Sequence, residues 1–291
     1  QAEDGIRDRS PSRGLGDVYK RQLLMLALTQ ISVHGQTTDG FTFRIQYKPE
    51  TTYTQTMEQS SHSDIKYSGS KEFLQVLKNK GVQNPTVTNK VSTTESVVKT
   101  GKVTDGAQYP LTIEFVKSTS SDGKNIIPNG TVIYGRVSSG AMPTLDSVVS
   151  SGLEEGYKKT LLQAMQNTFS QLSFPEKKIK VGESFSIESP LSIPVAGVTI
   201  EMTITTTYTL VSVTNGIANI NVSQAYKMKA NVSKYSINAT GSGKGKMLYD
   251  DSIGAMIRYT MDTEMTADMK LEQYDLSIRS NISVIQTTSV Q

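Results

Sequence analysis

A long run of alternating side chains in the C-terminal half constrains the fold more than any other feature of the sequence. Apolar, aromatic or threonine residues occupy every second position: Val198, Ile200, Met202, Ile204, Thr206, Tyr208 and Leu210. Successive side chains of a β-strand point to opposite faces, so this run predicts a long strand with one buried face. Asn215-Gly216 is typical of a two-residue hairpin turn, and the alternation that resumes over Ile220–Val232 predicts the returning strand.

Further alternating segments predict more antiparallel strands. They cover 235–249, 257–265 and 274–284, and in the N-terminal half 41–47, 111–115 and 132–136. Gly241, Gly243 and Gly245 share the inward register of the first of these segments, which lets the strand bend or lets a neighbour approach closely. Asp250–Gly254 predicts a turn, and residues 118–130 and 140–152 predict loops.

One segment has helical spacing instead. Tyr157, Leu161, Met165, Phe169 and Leu172 predict an amphipathic helix over about 154–172. The segment 71–81 is compatible with either a short helix or a strand. We therefore expect a mainly β fold of long, curved antiparallel strands that form a half-barrel or open barrel, with the helix covering the concave side. Two tandem β units joined by that helix are the alternative.

The N-terminus is set apart from this fold. Residues 1–22 have no periodicity and resemble a translated sequencing adaptor of the kind fused to metagenome gene fragments. Residues 23–35 form an uncharged apolar run that predicts a truncated signal peptide cleaved after Gly35, and hence a bacterial protein exported to the periplasm or outside the cell. The run is too short to span a bilayer, which leaves a first core strand or helix as its alternative. Residues 36–291 then form a single β-rich domain, or two β halves at 36–152 and 174–291.

Composition argues against several kinds of chemistry. The chain has no cysteine, two histidines and a formal net charge of +3, which leaves no basis for disulfides, Cys-ligated metals or nucleic-acid binding. The Ser-x-x-Lys pairs at Ser63 and Ser121 are assigned to loops, as is His62. Asp250 and Asp251, with Asp262 and Glu264, could ligate calcium through their carboxylate oxygens, but we expect them to be solvated turn residues. We expect no catalytic residues, no metal, no cofactor and no transmembrane span.

Methionine and tyrosine residues on the inward register suggest a ligand site. Flexible thioethers line adaptable apolar pockets, although they also fill irregular cores. The candidate ligand-binding residues are Met202, Ile204, Tyr208, Tyr226 and Met228.

Three short motifs carry a family resemblance: Tyr53–Met57, Phe174–Phe185 and Gly245–Asp250. They resemble an uncharacterised family of secreted or lipid-anchored proteins from Bacteroidota. The resemblance implies an exported protein without an established activity. The missing cysteine implies a soluble periplasmic or exported member, unless the junction with residues 1–22 removed a lipid-anchoring cysteine. The long strands, the glycine-bent strand and the helix are similar to the curved half-barrel of lipoprotein carriers, which is an analogy of fold only.

Two functions follow as hypotheses. In the first, the chain is a non-catalytic binding protein whose concave face holds an apolar small molecule or a lipid. In the second, its interior is filled and it is a structural or interaction module whose partner is another envelope protein. A carboxylate-dependent hydrolase is disfavoured, because no acidic pair falls on an inward face.

Overall fold

The computed structural model describes residues 41–42, 47–104, 107–123, 127–138, 143–171, 178–195, 198–230, 236–253, 255–271 and 273–291. The segments 1–22 and 23–35 and the cleavage site after Gly35 lie outside the described residues. The strands within these ranges are β1 (Phe41–Thr42), β2 (Thr52–Gly69), β3 (Thr86–Thr100), β4 (Gln108–Ser120), β5 (Thr131–Ser138), β6 (Thr144–Val149), β7 (Lys178–Ile179), β8 (Ser184–Val195), β9 (Val198–Thr214), β10 (Ile217–Ala230), β11 (Ser236–Asp250), β12 (Ala255–Lys270) and β13 (Tyr274–Val290). The helices are α1 (Lys71–Asn79) and α2 (Glu155–Gln171).

Eleven strands form one antiparallel sheet in the order β6-β5-β4-β3-β2-β13-β12-β11-β10-β9-β8. Its two edges, β6 and β8, do not pair with each other, so the sheet is an open half-barrel. The short strands β1 and β7 pair separately. The expected mainly β architecture of long antiparallel strands is confirmed.

The two halves of the sheet are joined by β2 and β13, which are the first and last of its strands in chain order. β2 pairs with β13 from Tyr53 opposite Val290 to Gly69 opposite Tyr274. Thr52 and Gln291 exchange two backbone hydrogen bonds of 2.9 Å at the end of this pair. The strands before and after α2 therefore share one sheet.

The core residues lie on one face of the sheet, called the inner face below. Four β-bulges change the register along it, and each places an extra residue in one strand. The bulge in β12 places the fully buried Met256 opposite Tyr249 and leaves Ile257 as the extra residue, without a partner in the register. In β5 the buried residues are Thr131, Ile133, Gly135 and Val137, opposite in parity to the alternation that predicted this strand.

Helix α2 covers the inner face near the β6 edge. Its Leu161 and Met165 pack into a core cluster that includes Val98, Leu111 and Ile133 of the sheet. Gln166 fixes the helix to the edge strand, because its Oε1 accepts a 2.7 Å hydrogen bond from the backbone N of Leu145. The predicted helix is confirmed at residues 155–171, with position 172 outside the described residues.

A second core cluster lies at the same end of the sheet on β9–β12. It contains Leu210, Ile220, Val222, Met247 and Met261 and is closed by Phe41 and Ile179 of the β1–β7 pair. The ring of Phe41 meets that of Tyr249 edge to face, with centroids 5.8 Å apart.

The structure decides the predictions for the hairpin turn at Asn215-Gly216 and for the segment 71–81. Asn215 and Gly216 form the predicted hairpin turn with φ values of 51° and 80°. The segment 71–81 contains helix α1, capped by Ser70, whose hydroxyl accepts a hydrogen bond from the backbone N of Phe73. In the described part of the chain, neither helix is long and apolar enough to cross a membrane.

Other predictions are wrong. The loop predicted over 140–152 contains edge strand β6, and the loop predicted over 118–130 begins inside β4. His62, Ser63 and Lys66 lie on strand β2 rather than in a loop. Ser63 is buried on the inner face while Lys66 is exposed on the other, so this Ser-x-x-Lys pair does not come together. His62 is half exposed and contacts Asn89 and Asp64.

Candidate functional site

The five predicted ligand-binding residues all lie on the inner face of the β9–β10 hairpin. Met202 is opposite Met228 in the strand register, and Ile204 is opposite Tyr226. Tyr208 is opposite Val222, four residues further along β9 from Ile204. The alternation in the sequence therefore placed these side chains on one face correctly.

Four of the five belong to one cluster, which we call the methionine surface. Its members are Met202, Ile204, Tyr226, Met228, Met265 and Met269. Met202 and Ile204 form its floor, with exposed fractions of 6% and 8%, and the other four are partly buried. Tyr208 is not part of this cluster. It packs against the second core and stacks on Phe185 of β8, with ring centroids 5.1 Å apart.

Glycines in β11 allow side chains from β10 and β12 to meet above that strand. Gly241 is opposite Tyr226 on one side and Met265 on the other. A Cβ atom at Gly241 would lie 3.2 Å from Cδ2 of Tyr226 and 3.0 Å from Cγ of Met265. The missing side chain therefore makes the methionine surface continuous across four strands, from β9 to β12.

A row of buried polar side chains separates the methionine surface from the second core. This polar belt consists of Thr206, Gln224 and Thr263, which are each less than 10% exposed. Gln224 Nε2 donates a 3.2 Å hydrogen bond to Thr206 Oγ1, and the hydroxyl of Tyr226 donates a 2.6 Å hydrogen bond to Gln224 Oε1. Gly243 lies between Gln224 and Thr263 in the register, where a Cβ would lie 3.1 Å from Oγ1 of Thr263 and 3.0 Å from Sδ of Met261.

The tyrosines beside the belt are neutral over the physiological pH range. Burial raises the pKa of Tyr208 to about 12. Burial, together with the neighbouring Tyr208 and Tyr226, raises the pKa of Tyr259 well above 10. Burial also raises the pKa of Tyr226. These tyrosines therefore contribute apolar ring surface without charge.

The acidic residues weighed for calcium do not form a site on this face. Asp262 is on the opposite face and accepts a 2.6 Å hydrogen bond from Ser283, and Asp250 accepts hydrogen bonds from Ser252 in the turn. Among the described residues, no three His, Asp or Glu side chains are grouped so that they could hold a metal ion. The groups around the methionine surface are thioethers, aliphatic carbons, phenols, an amide and hydroxyls, which suit the binding of an uncharged apolar group.

Sequence reasoning identified only part of this site. Met265 shares the predicted parity of β12, but Met269 lies beyond the point where the predicted strand stopped. β12 continues to Lys270 without the Gly or Pro that marks many turns. Gln224 and Thr263 were missed because a polar residue at an inward position weakens the alternation on which the prediction depends.

Comparison with known proteins adds a family match and weak structural likenesses. Residues 145–275 match the model of a family of unknown function, DUF6263. This range includes two of the three motifs on which the family resemblance was based, and Tyr53–Met57 lies outside it. No curated protein matches the chain.

The likenesses to solved structures are weak. A triple mutant of Rhodopseudomonas blastica porin has 9% sequence identity and a TM-score of 0.24, covering 81% of this chain and 100% of its own. Pseudomonas aeruginosa OccK7 (OpdD) has 5% identity and a TM-score of 0.21, covering 82% and 99%. Scores this low establish neither a shared fold nor a shared function.

Proposed function

We propose that the protein is a non-catalytic binding protein that holds an apolar ligand, such as an acyl chain, on the methionine surface. One observation carries this proposal. Six large side chains form a continuous inner surface on which four are only partly buried, and the polar belt separates it from the packed second core. A surface that served only as core would be expected to merge with its neighbour rather than to be divided from it by buried polar groups.

The residue types support an apolar ligand of variable shape. Met202, Met228, Met265 and Met269 each have an unbranched, polarizable side chain that can adopt several rotamers at low cost. The belt supplies a few fixed polar groups at one side of the surface, as in many small-molecule sites. We further propose that this function is carried out outside the bacterial cytoplasm, as the apolar run at 23–35 indicates.

Binding of the fluorescent apolar probe N-phenyl-1-naphthylamine tests the proposal. Met228→Lys introduces a charge into the surface and should weaken probe binding at least tenfold, because burying an unpaired ammonium is costly. Ala225→Lys is the matched control, since Ala225 is exposed on the opposite face of the same strand. It should change the affinity by less than about twofold. Equal probe binding by folded Met228→Lys and wild-type protein would show that the site is wrong.

An interaction module of the cell envelope is the second candidate function. The observation that favours it is on the outer face of β3, where Val87 and Val91 are 50% and 55% exposed. Exposed aliphatic residues on a sheet suit contact with another protein. This function predicts that Val91→Lys disrupts a complex with an envelope protein and leaves probe binding unchanged.

A further inference from the structure

Helix α1 lies at the end of the sheet where the methionine surface is located. Tyr67 of β2 is opposite Leu276 of β13, which is opposite Met269 of β12. The chain leaves β2 two residues after Tyr67 and enters α1 at Lys71. The ring of Phe73 stacks on that of Tyr274, with centroids 4.7 Å apart and planes within 6°, which anchors α1 to this rim.

The apolar side of α1 is only partly covered, since Phe73, Leu74 and Leu77 are partly buried and Val76 is exposed. Phe73, Leu74, Val76 and Leu77 lie on one side of the helix, and Lys71, Gln75, Lys78 and Asn79 lie on the other. All nine residues of α1 are described and none of them is buried, and Val76 is 41% exposed. Leu74, Leu77 and Lys78 line an open groove of about 550 Å³ with residues 81–85. A helix of nine residues gains little stability on its own. Its exposed apolar side lowers the stability of the folded protein further, and a binding role would explain why it is there.

The charge around this apolar side is positive. Between residues 66 and 86 there are four lysines, at positions 66, 71, 78 and 80, and one acidic residue, Glu72, which gives a net charge of +3. A short amphipathic helix with lysines beside its apolar side is typical of segments that lie in the interface of an anionic membrane. The same charges would repel a basic partner.

We propose that α1 docks on an anionic lipid surface and so brings the rim of the methionine surface to the lipid. This inference rests on the proposed function, because it supplies a route by which an acyl chain could pass between a membrane and the site. The helix would lie parallel to the surface, with Val76 and the open groove turned to the acyl chains and the lysines at the headgroups.

Flotation of the full chain with large unilamellar vesicles tests the inference. We expect binding to phosphatidylglycerol vesicles, at least tenfold weaker binding to phosphatidylcholine vesicles, and loss of the difference at high salt. Val76→Glu and Gln75→Glu each add one negative charge, but only the first removes apolar surface. Gln75→Glu should weaken binding to phosphatidylglycerol about fivefold and Val76→Glu about fiftyfold. Lys71→Glu should weaken it at least tenfold while leaving binding to phosphatidylcholine unchanged.

The melting temperature of each variant should equal that of the wild type, since α1 contributes no fully buried side chain. Failure to float with phosphatidylglycerol, or equal effects of Val76→Glu and Gln75→Glu in folded protein, would overturn the inference. The two proposals fail separately. Protein that binds the naphthylamine probe but not vesicles contradicts only the docking of α1, and protein that binds vesicles but not the probe contradicts the proposed function on which the docking rests.

Discussion

The hydroxyl of Tyr226 donates a 2.6 Å hydrogen bond to Oε1 of Gln224, two residues earlier on the same face of β10. The same ring packs against Met202 and Ile204 on the methionine surface. Tyr226 therefore marks the boundary between the apolar surface and the polar belt. We predict that the hydroxyl of Tyr226 contributes to stability and that its ring contributes to ligand contact.

Substitution Tyr226→Phe should separate these roles. The ring remains, so affinity for the apolar probe should change by less than about twofold. Gln224 loses its donor inside the protein, so unfolding free energy should fall by about 1–2 kcal/mol. Probe titration and urea denaturation measure the two effects. A large loss of affinity without a loss of stability would place the hydroxyl in the ligand contact instead.

The buried tyrosines predict a loss of stability at alkaline pH. The pKa of Tyr208 is about 12 in the folded protein and about 10 in an unfolded chain. The pKa is higher in the folded protein, so neutral Tyr208 favours the folded state. Its contribution to the free energy of unfolding is fully present below pH 10 and is lost as the pH rises towards 12. Urea denaturation at pH 8, 10 and 11.5 should show this decline, and Tyr208→Phe should show a shallower one. Identical pH profiles would mean that Tyr208 is not buried in solution.

Two glutamines on the inner face of β2 provide a matched pair. Gln55 is fully buried, and neither atom of its side-chain amide has a hydrogen-bond partner among the described residues. Gln59 is 7% exposed and has an interaction partner. Gln55→Met should therefore raise the unfolding free energy by about 1 kcal/mol, whereas Gln59→Met should lower it by a similar amount. Chemical denaturation checks both, and effects of the same sign would contradict the assignment.

Glycine substitutions should have opposite effects in the sheet and in helix α2. A Cβ at Gly245 would lie 2.0 Å from the backbone oxygen of Thr260, so Gly245→Ala must displace β12. We expect a loss of about 2–3 kcal/mol. Gly156 faces open space in the first turn of α2, and Gly156→Ala should gain about 0.5 kcal/mol from helix propensity. Differential scanning calorimetry distinguishes the two. A neutral Gly245→Ala would show that the strands are further apart.

The sequence predicted the C-terminal half of the sheet well because its inner face is apolar. The parity of Met202, Ile204, Ile220 and Met247 and the turn at Asn215-Gly216 all follow from period-two alternation and turn chemistry.

The strands β2 and β3 were missed for a physical reason. Their inner faces carry buried polar residues, among them Gln55, Ser61, Ser63, Thr94 and Ser96, so the alternation disappears although the burial does not. Strand β8 was missed because Pro190 and Pro194 argue against a strand, yet β8 is at the sheet edge, where proline is tolerated. The bulge that turns Met256 inward depends on pairing with β11, which no local pattern reveals.

Photo-crosslinking with palmitic acid that carries a diazirine near its chain end tests the central claim most directly. Met265 and Met269 both lie on the tryptic peptide 259–270, between Arg258 and Lys270. We predict that this peptide is labelled, that unlabelled palmitate competes with the label, and that Met228→Lys abolishes it while Ala225→Lys does not. Labelling confined to other peptides, with 259–270 unlabelled, would contradict the methionine surface as the ligand site.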